Sequence, residues 1–467
     1  MHPNKMHPNN KNNKVKNTSY IVFIGIMGAF AGILFGMDTG AISGALPLIK
    51  NVYKTSDTME EWITSGILIG AFIGAIGSNW LCRYYGRKTT LLICGVIYII
   101  GSILSAVSIS PFMLVWFRIL LGLAVGMSSY VSPLYLSEIS PKKIRGRLIT
   151  LYQFMITVGI LIAYLTDALF TYFDSWRWML GIAVVPAVIL FIGAFFLPKS
   201  PRWLFLKGKK ERAIEILKTI HSKDEAKIEA SELELVIKNK KSSNTFSWLS
   251  KGFFKRVLFL GIVLQLLQQF SGINATIYYT PIMFAKMGFG TPIQIMWITV
   301  IIGAVNVLST IFTIVYIDKF GRRSILMTGL LIMIISCALI AICLLLQGKA
   351  WSEYCVVIFI LTFIIGFAIS MGPIVWIICA EIFPLKARDL GITITTSANW
   401  VGDFLVVFTF LSILKNIGAP ATFFIFAAIN ILALIIVLLF VPETKGVSLE
   451  HIEENLISGK TLRKLGD

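Results

Sequence analysis

The sequence has few charged residues, few histidines and no paired cysteine motif. Asp, Glu, Lys and Arg make up 14% of the 467 residues, whereas apolar residues make up 56%. A soluble globular domain carries about 25% charged residues, so this composition excludes that class. Disulfides and metal ligation by cysteine are not expected, because all six cysteines lie in or beside apolar runs and no CxxC spacing occurs. The six cysteines are expected to be small core residues: Cys82, Cys94, Cys337, Cys343, Cys355 and Cys379.

Sequence signatures of catalysis are missing as well. We find no nucleophile motif, no metal-ligand cluster and no phosphate-binding loop, so we predict a protein that is not an enzyme and needs no cofactor and no metal. The net charge of +18 raises the question of a nucleic-acid partner. Basic stripes interleaved with stacking aromatics do not occur, so none is expected.

Long apolar runs fill most of the chain, and each is near or above the roughly 20 residues that a bilayer requires. A segment that crosses lipid must be helical, because a strand or loop would leave backbone groups without hydrogen bonds. We therefore predict an all-α membrane protein with twelve transmembrane helices. The runs cover residues 20–48, 62–81, 89–109, 112–136, 148–172, 179–197, 257–287, 293–317, 324–346, 354–380, 390–414 and 419–441.

The positive charge is concentrated in alternate loops. Lys and Arg collect at 83–88, 142–147, 199–256, 319–323 and 386–388, while the intervening loops hold only scattered lysines. Basic loops face the cytoplasm in membrane proteins. We therefore expect both termini and the central loop to be cytoplasmic, in a multi-pass protein of the cell membrane whose surroundings are the lipid bilayer.

Three motifs occur twice, at nearly the same offset. Glu-Ile-x-Pro-x-x-x-Arg begins at Glu138 and again at Glu381; RYYGRK (83–88) matches DKFGRR (318–323), and PKSPR (198–202) matches PETKG (442–446). Each copy follows an equivalent helix, which predicts two six-helix bundles and a transporter with its site between them. The predicted units are a disordered tail at 1–19, a first bundle at 20–197, a helical linker at 198–256, a second bundle at 257–441 and a cytoplasmic tail at 442–467.

Two opposite charges lie deep in predicted helices 1 and 4. Asp38 lies in GILFGMDTGAISG, where glycines at every fourth position form a flat face on the other side of the helix, and Arg118 lies in helix 4. A charge at mid-bilayer costs about 2.5 to 3.5 kcal/mol on insertion scales, so we expect the two to pair. The pair could be a permanent structural ion pair. It could also be a switch, because a buried carboxylate can take up a proton where arginine cannot lose one.

Helix 7 contains QLLQQFSGINATIYY, which is rich in amides for a membrane span. Gln265 and Gln269 share one face, Gln268 flanks them, and Gly272 allows a break before Asn274. Amides donate and accept hydrogen bonds, which suits the hydroxyls of an uncharged polyol; hydrogen bonds between helices are the alternative. Single polar or aromatic residues deep in other spans point the same way: Gln153, Asn306, Asn399, Trp376 and Trp400.

Two further carboxylates lie within the predicted spans. Asp403 follows Asn399 by one turn and should face the same side, where it is either a second titrating group or a hydrogen-bonded structural residue. Asp167 lies near the outer end of helix 5, and we expect water to reach it.

Together these motifs resemble the sugar porter family of the major facilitator superfamily, from about residue 19 to residue 446. The marks are RYYGRK, DKFGRR, the two Glu-Ile-x-Pro-x-x-x-Arg motifs, PKSPRWL, QQFSGIN followed by YY, GPIVW and PETKG. The resemblance implies sugar contacts from Gln153, Gln268, Gln269, Asn274, Asn306, Trp376 and Asn399, with Tyr278, Tyr279, Gly372 and Trp400 lining the site. It implies cytoplasmic gating by Arg87, Glu138, Arg145, Asp318, Arg322, Glu381 and Arg388.

The first-helix aspartate places the chain with the proton-coupled members that it resembles, the bacterial xylose and galactose symporters. Facilitative glucose carriers usually have Asn where Asp38 stands. The expected function is thus symport of a proton and a hexose or pentose by a monomer, with a facilitative uniporter and, less favoured, a sugar sensor as alternatives. Arg83 and Lys199 depart from the acidic residues usual in the family. We therefore expect a weaker latch in the first half and a less stable inward-closed state.

Overall fold

A computed structural model describes residues 18–140, 145–220, 225–231, 234, 245–288, 290–346, 350–384, 387–447 and 449–467. Within these residues the chain is nearly all helical, and twelve helical segments are long and apolar enough to cross a membrane. The predicted all-α fold with twelve transmembrane helices is confirmed. Of the predicted tail at 1–19, positions 1–17 lie outside the described residues.

We number the membrane-crossing units α1 to α12, and four of them consist of two consecutive helices. The first six are α1 (Thr18–Ala29 and Ala31–Tyr53), α2 (Asp57–Tyr84), α3 (Arg87–Ala106), α4 (Pro111–Ile139), α5 (Arg145–Thr171) and α6 (Trp176–Gly181 and Val184–Phe196). The second six are α7 (Gly252–Phe270 and Ile273–Lys286), α8 (Pro292–Phe320), α9 (Arg322–Leu345), α10 (Ala350–Ile369 and Met371–Ile382), α11 (Arg388–Ile417) and α12 (Ala419–Phe440).

Glycines bring helices together in the first six units. The stripe of α1 packs on α5, where a Cβ placed on Gly36 would lie 1.9 Å from the carbonyl oxygen of Ile156. Gly126 of α4 packs in the same way on α2, where a Cβ would lie 1.9 Å from the carbonyl oxygen of Ala71. Small residues allow such close backbone approach in membrane bundles. The glycine face of α1 is therefore used for packing, as its spacing predicted.

The broken unit α7 bends at Gly272, as the sequence indicates. Gly272 has a φ of 91°, in the left-handed region that favours glycine, and the helix restarts at Ile273. The break turns Asn274 and the two tyrosines that follow it into a separate short helix. This places them on a different axis from the glutamines before the break.

Short helices lie outside the spans. Pro201–Leu206 and Lys210–Ile220 follow α6, and Leu449–Ile457 follows α12. The tail contacts the start of α7, since Arg256 Nη2 donates to the carbonyl of Lys460 at 2.8 Å. We call this end of the molecule, where α1 starts and the linker and tail lie, the basic end; the opposite one is the far end.

The first and second bundles touch near the far end. Tyr164 of α5 donates to the carbonyl of Ile277 in α7 at 3.0 Å. Trp62 of α2 packs edge-on against Phe408 of α11, with ring centroids 4.8 Å apart. These contacts close the far end of the interface between the bundles.

Candidate functional site

A buried ion pair joins α1 to α4. Both carboxylate oxygens of Asp38 lie 3.2 Å from the Nη1 and Nη2 atoms of Arg118. Arg118 is fully buried, and only 6% of Asp38 is exposed. The Nε atom of Arg118 also donates to the carbonyl of Ile63 in α2 at 2.6 Å. The guanidinium therefore links three helices, and the carboxylate is the member of the pair that can change its charge.

The ion pair lies next to the second half of α7. Tyr278 is buried beside Thr39 and within electrostatic range of both Asp38 and Arg118. Tyr279 donates to the carbonyl of Val407 in α11 at 3.0 Å. A change in the charge of Asp38 thus occurs beside the helix that also carries Asn274.

The amides of α7 and α11 form a connected network. The Nδ2 atom of Asn399 donates to the Oε1 atoms of Gln265 at 2.6 Å and Gln268 at 2.7 Å. Gln269 donates to Asn399 Oδ1 at 3.0 Å, and Asn274 donates to Gln269 Oε1 at 2.9 Å. Hydrogen bonds between helices and a ligand site are thus not exclusive alternatives. The network holds these side chains in place, and a polyol can meet its exposed edge.

Gln268 connects the amide network to α10. Its Nε2 atom donates to the carbonyls of Met371 at 2.6 Å and Gly372 at 3.2 Å, just after the break in α10. Because its Oε1 atom accepts a hydrogen bond from Asn399, both the nitrogen and the oxygen of this amide already have partners. Gln268 is therefore better placed to orient Asn399 than to contact a ligand directly, and Gly372 is reached through its carbonyl.

The other residues predicted to contact or line the sugar site differ in solvent exposure. Gln153, Asn274 and Trp376 are half-buried, whereas Asn306 and Trp400 are buried. Trp400 packs against Phe35 of α1, with ring centroids 5.6 Å apart. Its indole Nε1 is buried without a hydrogen-bond acceptor among the described residues, so a ligand hydroxyl or a water can satisfy it.

The structure agrees with the predicted orientation of Asp403 but not with the predicted exposure of Asp167. Asp403 is buried and lies against Asn274, so it faces the amide network, as expected from its spacing to Asn399. The prediction for Asp167 was wrong: its side chain is fully buried, not reached by water. The reason is the glycine face of α1, because a Cβ on Gly44 would lie 2.4 Å from Asp167 Oδ2. Helix α1 covers this carboxylate.

The duplicated motifs form equivalent clusters at the basic end. Arg87 Nη2 donates to Glu138 Oε1 at 2.7 Å, and Ser200 Oγ donates to Glu138 Oε2 at 2.6 Å. In the second half Arg322 Nη2 lies 3.4 Å from Glu381 Oε1, and Thr444 Oγ1 donates to Glu381 Oε2 at 2.5 Å. Among the described side chains, each carboxylate thus binds an arginine and a hydroxyl. These residues come from three separate motifs in each half.

The other three predicted gating residues are Arg388, Arg145 and Asp318. Arg388 Nη2 lies 3.5 Å from the carbonyl of Phe383. Helix α5 starts at Arg145, and α8 passes through position 318, but the side chains of Arg145 and Asp318 lie outside the described part of the chain.

The two clusters differ where the sequence departs from the family. Glu443 accepts the backbone N–H groups of Arg322 and Arg323 at 3.0 and 3.1 Å, and so caps the start of α9. Lys199 occupies the matching position of the first half, and its Nζ atom lies 5.5 Å from the ring centroid of Trp203. The first half thus lacks the carboxylate cap that the second half has at this position.

Two buried carboxylates were missed by the sequence analysis. Glu60 and Glu61 are 0% and 1% exposed at the far end of α2. Glu60 Oε1 lies 2.6 Å from Lys50 Nζ of α1. Glu61 accepts two hydrogen bonds from Ser412 of α11. The apolar run of α2 begins at Trp62, directly after these two residues, whereas Ser56 and Asp57 before them are a helix-start signal.

Known proteins match the chain over nearly its whole length. A family model described as sugar (and other) transporter matches residues 24–456. The galactose-proton symporter of Escherichia coli K12 is 43% identical over 461 residues, 98% of this chain and 99% of that protein. The arabinose-proton symporter of the same strain is 40% identical over 453 residues, 95% of each. The partially occluded, inward-open structure of the E. coli xylose transporter XylE gives a TM-score of 0.81 at 27% identity, over 92% of this chain and all of that one.

Proposed function

The chain belongs to the sugar transporter family, and we propose that it imports a monosaccharide together with a proton by alternating access. It is a multi-pass protein of the plasma membrane. One observation carries the coupling: the buried Asp38–Arg118 pair adjoins the helix that also bears amides of the sugar site. Two relatives are named as proton symporters, one for galactose and one for arabinose, which supports a hexose or pentose as substrate.

We place the basic end in the cytoplasm. Lys and Arg are concentrated there, and basic loops stay on the cytoplasmic side. The far end is then the outer end, and the contacts that close it give a protein whose site opens toward the cytoplasm. The protein acts as a monomer in the bilayer, since each chain carries both bundles and the complete set of site residues.

The sugar is held mainly by the second bundle. Asn274 and Trp376 are exposed enough to contact it, and Gln153 reaches it from the first bundle. Gln269, Asn306 and Asn399 line the same interface, while Gln268 and Gly372 hold the network behind them. An indole face packs on the C–H face of a sugar ring, and amides pair with its hydroxyls.

The proton acts through the charge of Asp38. In the outward-open protein, Asp38 takes up a proton and the site takes up a sugar. Neutral Asp38 holds Arg118 less strongly, so the ion pair no longer fixes α1 to α4 and the bundles can close around both substrates. Opening to the cytoplasm lets the sugar and the proton leave, and the ion pair forms again. The proton gradient thereby drives sugar accumulation.

Sugar-induced proton uptake tests this function directly. Lightly buffered, energy-depleted cells that express the protein are given galactose, arabinose, xylose, glucose or inositol, and the external pH is recorded. We expect the medium to become more alkaline with at least one of the monosaccharides. Uptake of labelled sugar without any alkalinisation would instead indicate a facilitative uniporter.

A further inference from the structure

We propose that Glu61 of α2 is the latch of the outer gate and that α2 links this latch to Asp38. The proposal extends the alternating-access function above: Glu61 positions the two bundles, and it decides how readily the site opens to the outside. It is a positioning residue, because its two hydrogen bonds go to Ser412 of α11 and not to the sugar or to Asp38.

The latch consists of two hydrogen bonds between the bundles. Ser412 N donates to Glu61 Oε1 at 2.6 Å, and Ser412 Oγ donates to Glu61 Oε2 at 2.8 Å. Glu61 is 1% exposed. A buried donor that is left without its acceptor is costly. Both oxygens of the carboxylate therefore accept hydrogen bonds from the other bundle.

These bonds exist only while the outer gate is closed. Glu61 belongs to the first bundle and Ser412 to the second, and the neighbouring Trp62 and Phe408 rings are packed together. Separating the outer ends of α2 and α11 breaks both bonds and exposes Glu61 to water. An interaction that is present in only one of two states shifts the equilibrium toward that state.

Neighbouring charges do not provide an equivalent contact. Lys50 lies 3.1 Å from Asp57 and 2.6 Å from Glu60, and all three belong to the first bundle. Lys415 of α11 lies 3.9 Å from Asp57, but its side chain is 71% exposed, and exposed ion pairs contribute little. The buried contact of Glu61 is thus the stronger of these links between the bundles.

The link to Asp38 runs along one turn of α2. Arg118 Nε donates to the carbonyl of Ile63, two residues after Glu61, and the same guanidinium holds Asp38. When Asp38 loses its charge, Arg118 is free to change its hold on the outer end of α2. The segment of α2 that carries Glu61 is therefore also the segment that is hydrogen-bonded to Arg118.

Hydrogen exchange of the protein in lipid nanodiscs tests the latch. With Glu61→Ala, we expect amides in the outer ends of α2 and α11 to exchange about tenfold faster, as expected for the loss of two buried hydrogen bonds. Ser412→Ala, which keeps the backbone donor, should give a smaller increase. Peptides from the tail at 449–467 should not change.

Two matched controls isolate the contact between the bundles. Thr409→Ala and Ser397→Ala each remove a hydroxyl of α11 that bonds its own helix. Both should leave exchange at the outer ends within about twofold of wild type. Equal exchange in wild type and in both latch variants would overturn the latch, and so would an equally large increase in the controls.

The link is tested by repeating the comparison in the Asp38→Asn background. We expect the effect of Glu61→Ala on exchange to change by at least about threefold, because coupled residues are not additive. An unchanged effect would overturn the link. These measurements use no sugar and no proton gradient, so their failure is distinguishable from failure of the symport function, which the alkalinisation experiment reports.

Discussion

Glu138 and Glu381, 243 positions apart, make the same two bonds in the two halves of the molecule. Each carboxylate binds an arginine that starts a helix and a hydroxyl that follows the sixth helix of its bundle. The duplication therefore preserved a three-dimensional cluster as well as a sequence motif. One difference between the halves is Lys199 in the first against Glu443 in the second.

Changing Lys199 to Glu should stabilise the protein. A carboxylate at this position can accept the backbone N–H groups at the start of α3, as Glu443 does for α9. Caps contribute about 0.5 to 2 kcal/mol, and we expect Lys199→Glu to raise the thermal unfolding midpoint. Glu443→Lys should lower it. Lys209→Glu, at an exposed linker position, controls for net charge, and equal midpoints for Lys199→Glu and this control would contradict the cap.

Removing Arg118 should destabilise the protein more than removing both charges of the pair. Arg118→Met leaves Asp38 buried without its cation, which costs about 3 to 5 kcal/mol for a buried pair. Adding Asp38→Asn removes the stranded charge, so the double variant should recover part of the lost stability. The measurement is thermal unfolding of all three variants in the same detergent. A double variant no more stable than Arg118→Met would refute the electrostatic explanation.

Asn399→Asp should weaken sugar binding. The change replaces a donor by an acceptor opposite the oxygens of Gln265 and Gln268. Gln268 cannot simply turn its amide around, because its nitrogen already donates to the carbonyl of Met371. We expect the Kd for the transported sugar to rise at least about tenfold, or about 1.4 kcal/mol.

Tryptophan fluorescence titration measures this Kd. Ser397→Ala, whose hydroxyl bonds only its own helix at the carbonyl of Thr393, is the matched control on α11 and should bind like wild type. An Asn399→Asp variant with wild-type affinity would show that the network does not support the sugar site.

Sequence reasoning reached the ion pair because charges are rare in a membrane span. Asp38 and Arg118 had few alternative partners, so pairing followed from the cost of burying each one alone. The break at Gly272 was likewise predictable from local chemistry. The duplicated motifs predicted the division into two six-helix bundles.

What could not be predicted depends on how helices rotate against each other. Asp167 was misjudged because its burial is set by the glycine face of α1, a tertiary contact. The order of the bonds around Asn399 depends on the relative rotation of α7, α10 and α11. Glu61 was missed because its partner, Ser412, lies 351 positions away in the other bundle.

Gradient-driven accumulation is the most direct test of proton coupling through Asp38. Wild-type protein and Asp38→Asn are reconstituted in proteoliposomes, with labelled galactose or arabinose outside and an inward proton gradient. Wild type should concentrate its sugar above the external level. Asp38→Asn should equilibrate sugar and retain counterflow, yet fail to accumulate it. Accumulation by Asp38→Asn to the wild-type level would contradict the account.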